Sequence, residues 1–215
     1  KVGKNYVLVR NIFSAVSVGT ETSAIQIAKK NIFQKAKERP KEFKKVLSLM
    51  NKEGFWAGYR IAVDKLGLPS TLGYSSVGQV LEVGQEVSSI SVGDTVACGG
   101  SGHAEIVAVP KNLCCKIDEG VNLKEAAFTT IGAIAMQGLR QANTKLGEVV
   151  AVIGLGLIGQ ITMELLRASG CKAIGIDIDK SKVIFSKKTG KTAYSRNDSH
   201  LFEKIDAITK SRGVD

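Results

Sequence analysis

Residues 149–177 read VVAVIGLGLIGQITMELLRASGCKAIGID, and the rest of the chain is best understood outward from them. VVAVI at 149–153 is apolar on both faces, as a strand covered on both sides in a parallel sheet must be. GLGLIG follows at 154–159, and residues 158–168 carry apolar positions at helical spacing until Ser169-Gly170 ends the run. Residues 173–176 are a second apolar run with Asp177 at its tip. The order is therefore strand, glycine turn, helix, strand, acid.

Each glycine has a separate physical reason. Gly154 allows a tight turn out of the strand, Gly156 lets backbone approach a pyrophosphate with no Cβ between, and Gly159 lets the helix pack closely on the sheet. The helix N-terminus then offers unpaired N–H groups and a partial positive charge to phosphate, so no basic side chain is required. Asp177 lies 18 residues past Gly159, near the ~20 expected of an acid that bonds the adenosine ribose hydroxyls. A 2′-phosphate would meet that carboxylate and be repelled, so the spacing predicts NAD over NADP. The expected cofactor-binding set is Gly154, Leu155, Gly156, Leu157, Ile158, Gly159, Asp177 and Ile178. Asp179 is the rival acid, expected to face solvent. A glycine turn that only packs a helix on a sheet is the alternative, and the complete βαβ pattern weighs against it.

Downstream, residues 180–188 read as a helix, 189–194 as a third strand and 201–209 as a helix. An open doubly wound sheet has about six strands, so the chain is expected to be a fragment, incomplete at the nicotinamide end and inactive alone. Upstream, Asn122 should cap one helix over 123–142 that links two domains. Residues 72–117 alternate in short runs with Gly-Asp and Gly-Gln turns, which suggests a small β-barrel. Residues 22–67 space apolar side chains by three and four between lysines, as amphipathic helices do. Residues 6–18, YVLVRNIFSAVSV, read as one or two strands closed by Gly19-Thr20. The resulting division is 1–122, with a helical insert at about 22–70, and 123–215.

The chain has 215 residues, 44% of them apolar, enough for a sizeable core. Charged residues interrupt every apolar run before the ~20 residues a membrane span needs. No export signal is visible, and a cytoplasmic location is expected. The net charge of +10 is concentrated, since residues 21–70 hold eleven Lys and Arg against five Asp and Glu. That segment lacks interleaved aromatics and matches no nucleic-acid motif, so a solvated helical face is expected, with an anionic substrate or acidic partner surface as the alternative. Cys98, Cys114, Cys115 and Cys171 show no two-residue gap, and reduced thiols are expected; adjacent Cys114 and Cys115 would point to opposite faces of a strand. His103, in a glycine-rich turn, and His200, among polar residues, are expected to be structural or exposed.

Five phrases carry a family resemblance: VLVRNIFSAVSVGTE at 7–21, LGYSSVGQVLEVG at 72–84, VGDTVACGGSGHAEIVAVP at 92–110, EAAFTTIGAIAMQGLRQA at 125–142 and VAVIGLGLIG at 150–159. In this order they resemble the medium-chain dehydrogenase/reductase superfamily, which implies an α/β protein: a GroES-like β-barrel domain with a helical insert, followed by a truncated Rossmann doubly wound parallel sheet. The insert and GYSSVG look most like bacterial bi-domain oxidoreductases with a glucose-fructose-oxidoreductase-type second domain. Those proteins imply a role in surface polysaccharide synthesis.

The departures bear on mechanism. Against the zinc alcohol dehydrogenase phrases, Val18 stands at the thiolate position, Tyr74 and Ser75 replace His and Glu, and the third ligand falls near Ile131 or Gly132. The four-cysteine lobe is absent, so no metal ligands are expected and the resemblance implies a zinc-independent enzyme. Tyr74 then becomes the candidate donor to a developing oxyanion, with Ser75, Thr20 and Glu21 completing a relay; a packing role for Tyr74 is the competing reading. The expected function is an NAD(H)-dependent oxidoreductase acting on a sugar, with an anionic sugar nucleotide as the candidate small-molecule substrate. The alternative is an NAD-binding module without turnover that supports a downstream oxidoreductase domain. A homo-oligomer is left open; nucleic-acid and membrane partners are not expected.

Overall fold

A computed structural model describes residues 1–29 and 72–215. Most of the expected insert at 22–70 lies outside the described residues. The chain forms two compact units, residues 1–15 with 74–215 and residues 16–73, a partition different from the one drawn at residue 122.

The first unit opens with β1, Tyr6–Ser14. β2 is Ser75–Val83, β3 Thr95–Gly99, β4 Ile106–Pro110 and β5 Cys114–Lys116. They make an antiparallel half-barrel sheet in the order β4-β1-β2-β3-β5. Valines supply β-branched side chains to both faces of this sheet. One face gathers Val7, Val9, Val80, Ile90, Val96, Cys98 and Val109 into a core. Val77 packs instead with Ala126 and Ala127. Fully burying one such side chain stabilises the fold by roughly 1.5–3 kcal/mol. Gly78 is dictated by close approach, since a Cβ there would stand 2.2 Å from the Arg10 carbonyl oxygen.

The expected strand over 6–18 is shorter than its sequence suggests. β1 stops at Ser14, and α1, Val18–Lys29, occupies the second unit. The reason is local: the Ser17 N–H donates to Glu21 Oε1 at 3.0 Å and the Glu21 N–H to the Ser17 carbonyl at 2.9 Å. This closes the start of a helix, so Gly19 and Thr20 sit in its first turn. The single helix expected over 123–142 is also two, α2 at Leu123–Ala126 and α3 at Thr129–Ala142. Asn122 caps the first as expected, accepting from the Lys124 N–H. The interruption falls where the Ser75 hydroxyl donates to the Ala127 carbonyl at 2.6 Å, drawing that carbonyl toward β2.

The parallel sheet has the order β6-β7-β8, with β6 at Val149–Ile153, β7 at Lys172–Asp177 and β8 at Thr192–Ser195. The connecting helices are α4, Leu157–Ala168, and α5, Lys180–Lys188; α6, Leu201–Thr209, follows β8. Leu155, Met163, Val183 and Ala193 form the core under this sheet. Beyond α6 the backbone returns to β6, where the Asp215 N–H donates to the Val149 carbonyl at 3.0 Å. No described helix is long and apolar enough to cross a membrane.

Candidate functional site

The glycine turn connects β6 to α4. Gly154 has φ +96°, a left-handed conformation that side chains resist. Its N–H donates to the Ile176 carbonyl at 2.8 Å, so the turn is tied to β7 as it leaves β6. Gly156 is the N-cap of α4 and supplies no side-chain hydrogen bond. A Cβ on Gly156 would have nothing within 4 Å, whereas one on Gly159 would lie 1.9 Å from the Gly154 carbonyl oxygen. One glycine therefore leaves an open approach and the other permits contact between helix and turn. The first amides of α4, uncapped by a side chain, face the deficit of acceptors common to all helix starts. That is the arrangement a diphosphate fits.

Asp177 closes the site from β7. It is only 7% exposed. Its carboxylate accepts from the Leu155 N–H at 2.6 Å and from the Asp179 N–H at 2.8 Å. Burial pushes this carboxyl up, but the two N–H donors and the Lys182 ammonium outweigh it, against the opposing charge of Asp179, and hold it below the usual carboxylate range. The Lys182 Nζ lies 3.9 Å from a carboxylate oxygen of both Asp177 and Asp179. Asp179 itself is exposed and caps α5 by accepting from the Ser181 N–H.

The expected cofactor residues divide by direction. Gly154, Gly156, Ile158 and Ile178 are exposed around the turn and Leu157 is half-buried. Leu155 is buried in the core, and its N–H is already taken by Asp177. Two residues outside the expected set belong to the same construction. Gly175 makes room for Leu155, since a Cβ there would stand 2.6 Å from the Leu155 side chain. A glycine in the middle of an apolar strand was the available signal. Lys182 had none, because its relevance depends on where α5 begins. A separate cavity of about 300 Å³ lies among Met163, Glu164, Arg167, Cys171, Lys191 and Thr192, beside the entries to β7 and β8, away from the glycine turn.

The expected catalytic residues are distributed between the two units. In the first, Tyr74 is half-buried, and its carbonyl accepts from the Gly100 N–H at 2.8 Å. Ser75 is 1% exposed and commits its hydroxyl to Ala127. In the second, Thr20 is exposed and accepts from the Ser17 hydroxyl at 3.1 Å, and Glu21 is buried at the start of α1. Ile131 is fully buried. His103 is exposed, with Nδ1 2.9 Å from the Ser14 hydroxyl, and exposed His200 pairs with Glu203 at 3.0 Å.

An antiparallel half-barrel sheet joined to a βαβ unit with a glycine turn and an acidic strand tip defines an α/β fold. Residues 45–119 match the Alcohol dehydrogenase GroES-like domain. The chain is 38% identical over 110 residues to the D-guloside 3-dehydrogenase of Shigella flexneri, covering 49% of this chain and 31% of that protein. It is 31% identical over 156 residues to the probable D-xylulose reductase A of Aspergillus clavatus, covering 58% of this chain and 44% of that one. The chain thus spans less than half the length of these relatives. These similarities are to a dehydrogenase and a reductase, each over part of this chain. In fold the chain is similar to a quinone oxidoreductase from Pseudomonas syringae, with TM-score 0.66 and 22% identity over 100% of this chain and 57% of that one.

Proposed function

We propose that the chain is the coenzyme-binding part of an NAD(H)-dependent, zinc-independent oxidoreductase acting on a sugar or sugar nucleotide. The observation that carries this reading is the direct bond between the Asp177 carboxylate and the glycine turn at Leu155. It holds an ionised acid beside uncapped helix amides, where ribose hydroxyls and diphosphate of one coenzyme can be met together. Bound there, the coenzyme supplies a hydride acceptor or donor. The chain's own part is to seat the diphosphate on the amides of α4 and to repel a 2′-phosphate with Asp177. Sugar chemistry is supported by the names of the two relatives, a D-guloside dehydrogenase and a D-xylulose reductase. A role in polysaccharide synthesis and a second oxidoreductase domain rest on the sequence resemblance alone.

Among the candidate catalytic residues, Tyr74 is assigned the donor role, because its hydroxyl makes no hydrogen bond to the described residues. The alternative, a coenzyme-binding module without turnover, is favoured by one observation: the Ser75 hydroxyl is committed to the Ala127 carbonyl. Calorimetric titration with NAD, NADH, NADP and NADPH tests the coenzyme reading, which fails if none binds or if the phosphorylated forms bind more tightly. Labelled hydride exchange with candidate sugars separates enzyme from module. Turnover unchanged by Tyr74→Phe would remove the donor assignment.

A further inference from the structure

Cys98 and Cys114 lie 16 positions apart in sequence, and the fold brings their sulfurs to 3.9 Å. They are directly opposed on β3 and β5. The kind of pairing follows from a neighbouring bond. The Ile117 N–H donates to the Thr95 carbonyl at 2.9 Å, which makes Thr95 and Ile117 a hydrogen-bonded pair. Pair types alternate along an antiparallel ladder. Counting from there, Val96 with Lys116 is non-hydrogen-bonded, Ala97 with Cys115 hydrogen-bonded, and Cys98 with Cys114 non-hydrogen-bonded. In that geometry Cα atoms stand about 4.5 Å apart and side chains are at their closest. A disulfide accepts Cα separations from about 4.4 to 6.8 Å. The backbone is therefore already placed for a bond, and side-chain rotation has only to bring the sulfurs together.

The two thiols are also unequal. Cys98 is 1% exposed and belongs to the valine core of the antiparallel sheet, while Cys114 is half-buried at its margin. Cys115 points to the other face and is exposed. Cys171 is buried elsewhere, with its thiol near the Lys145 carbonyl at 3.2 Å. Hydrogen bonding from Cys98 lowers the Cys114 thiol against the effect of burial, and the same contact together with burial raises Cys98. Cys114 is thus the member that solvent reaches and whose thiolate the Cys98 contact favours.

We propose that Cys98 and Cys114 form a dithiol site that reacts with small disulfides and closes to a cross-strand disulfide. The Cys114 thiolate attacks one sulfur of an external disulfide, forming a mixed disulfide and releasing one thiolate. Cys98 loses its proton to solvent base once its thiolate partner is gone, and its sulfur attacks Cys114, releasing the second thiolate. Two protein thiols are oxidised and one external disulfide is reduced to two thiols, so atoms and electrons balance.

The test uses the whole chain in glutathione buffers of increasing oxidised fraction, quenched by alkylation and read by peptide mass spectrometry. The expected product joins the Cys98 and Cys114 peptides, with Cys115 and Cys171 outside that bond. Cys98→Ala should instead accumulate a glutathione adduct on Cys114, at least tenfold above the level in the unsubstituted chain. Cys114→Ala should leave Cys98 unmodified in protein whose circular dichroism is unchanged. The proposal is overturned if the unsubstituted chain accumulates a stable Cys114 adduct while Cys98 stays free, or if the dominant bond joins Cys115 of two chains.

Discussion

In the antiparallel sheet the polar side chains turn inward on one another. Ser75 donates to Ala127, the Ser76 hydroxyl donates to Asn11 at 2.8 Å, and Ser76 and Ser101 hydroxyls lie 2.7 Å apart. In the parallel sheet the arrangement is the reverse, because Gly156 begins α4 without a capping side chain and a buried acid, Asp177, binds amides of the turn. The same chain thus contains a region whose hydrogen bonds are closed and one whose backbone donors stay open to a ligand. A buried unpaired polar group costs about 1–3 kcal/mol, so such openness persists only at a surface that solvent or a ligand reaches. A polar residue type is then no guide to chemistry by itself; where its partner lies is.

The strongest way to break this contrast is a pair of glycine substitutions. Gly159→Ala and Gly78→Ala each place a Cβ against a carbonyl, at 1.9 Å and 2.2 Å. Each is expected to destabilise the protein by about 1–3 kcal/mol, from backbone forced to move. Only Gly159→Ala should also weaken NAD, by at least about tenfold or 1.4 kcal/mol in titration of the folded protein. Equal affinities in the two variants would erase the distinction.

Ser75→Ala comes next. It leaves the Ala127 carbonyl without its donor and should cost about 1–3 kcal/mol, read as a lower urea midpoint at unchanged slope. Lost turnover at unchanged stability would instead assign Ser75 to the catalytic relay. Asp177→Asn is expected to weaken NAD by about tenfold and narrow its advantage over NADP, since a neutral amide no longer repels a 2′-phosphate. The carboxyl is held below its ordinary value. Its contribution to stability is accordingly present above the unfolded value of about 3.9 and lost as pH falls through the lower folded value. Acid unfolding followed by circular dichroism should therefore begin below about pH 4 and lose that component in the variant. The smallest effect is expected for Lys182→Met, whose half-exposed ammonium should change NAD affinity by at most about 1 kcal/mol. A larger loss would make Lys182 a direct coenzyme contact.

How much of this was legible depends on range. The βαβ unit was readable because its signals are local: an apolar run, glycines at fixed offsets and a helical period. The first turn of α1, residues 18–21, was read as strand end and turn because β-branched residues in 6–18 outweighed a cap that only Ser17 and Glu21 reveal together. The break between α2 and α3 was invisible because the contact that accompanies it joins Ala127 to Ser75, 52 positions away. Ser75 and Glu21 show the same dependence on range, since a hydroxyl or a carboxylate declares its chemistry in sequence but not its partner.

By itself the sequence determined the glycine turn, the acid at the strand tip and the order of the two sheets, since backbone freedom at a glycine and side-chain period are properties of neighbouring residues. Only the tertiary structure decided that Asp177 grips the turn through Leu155 and that Cys98 faces Cys114. Both contacts join residues on separate strands or turns, and their distances are set by sheet pairing and packing rather than by anything written along the chain.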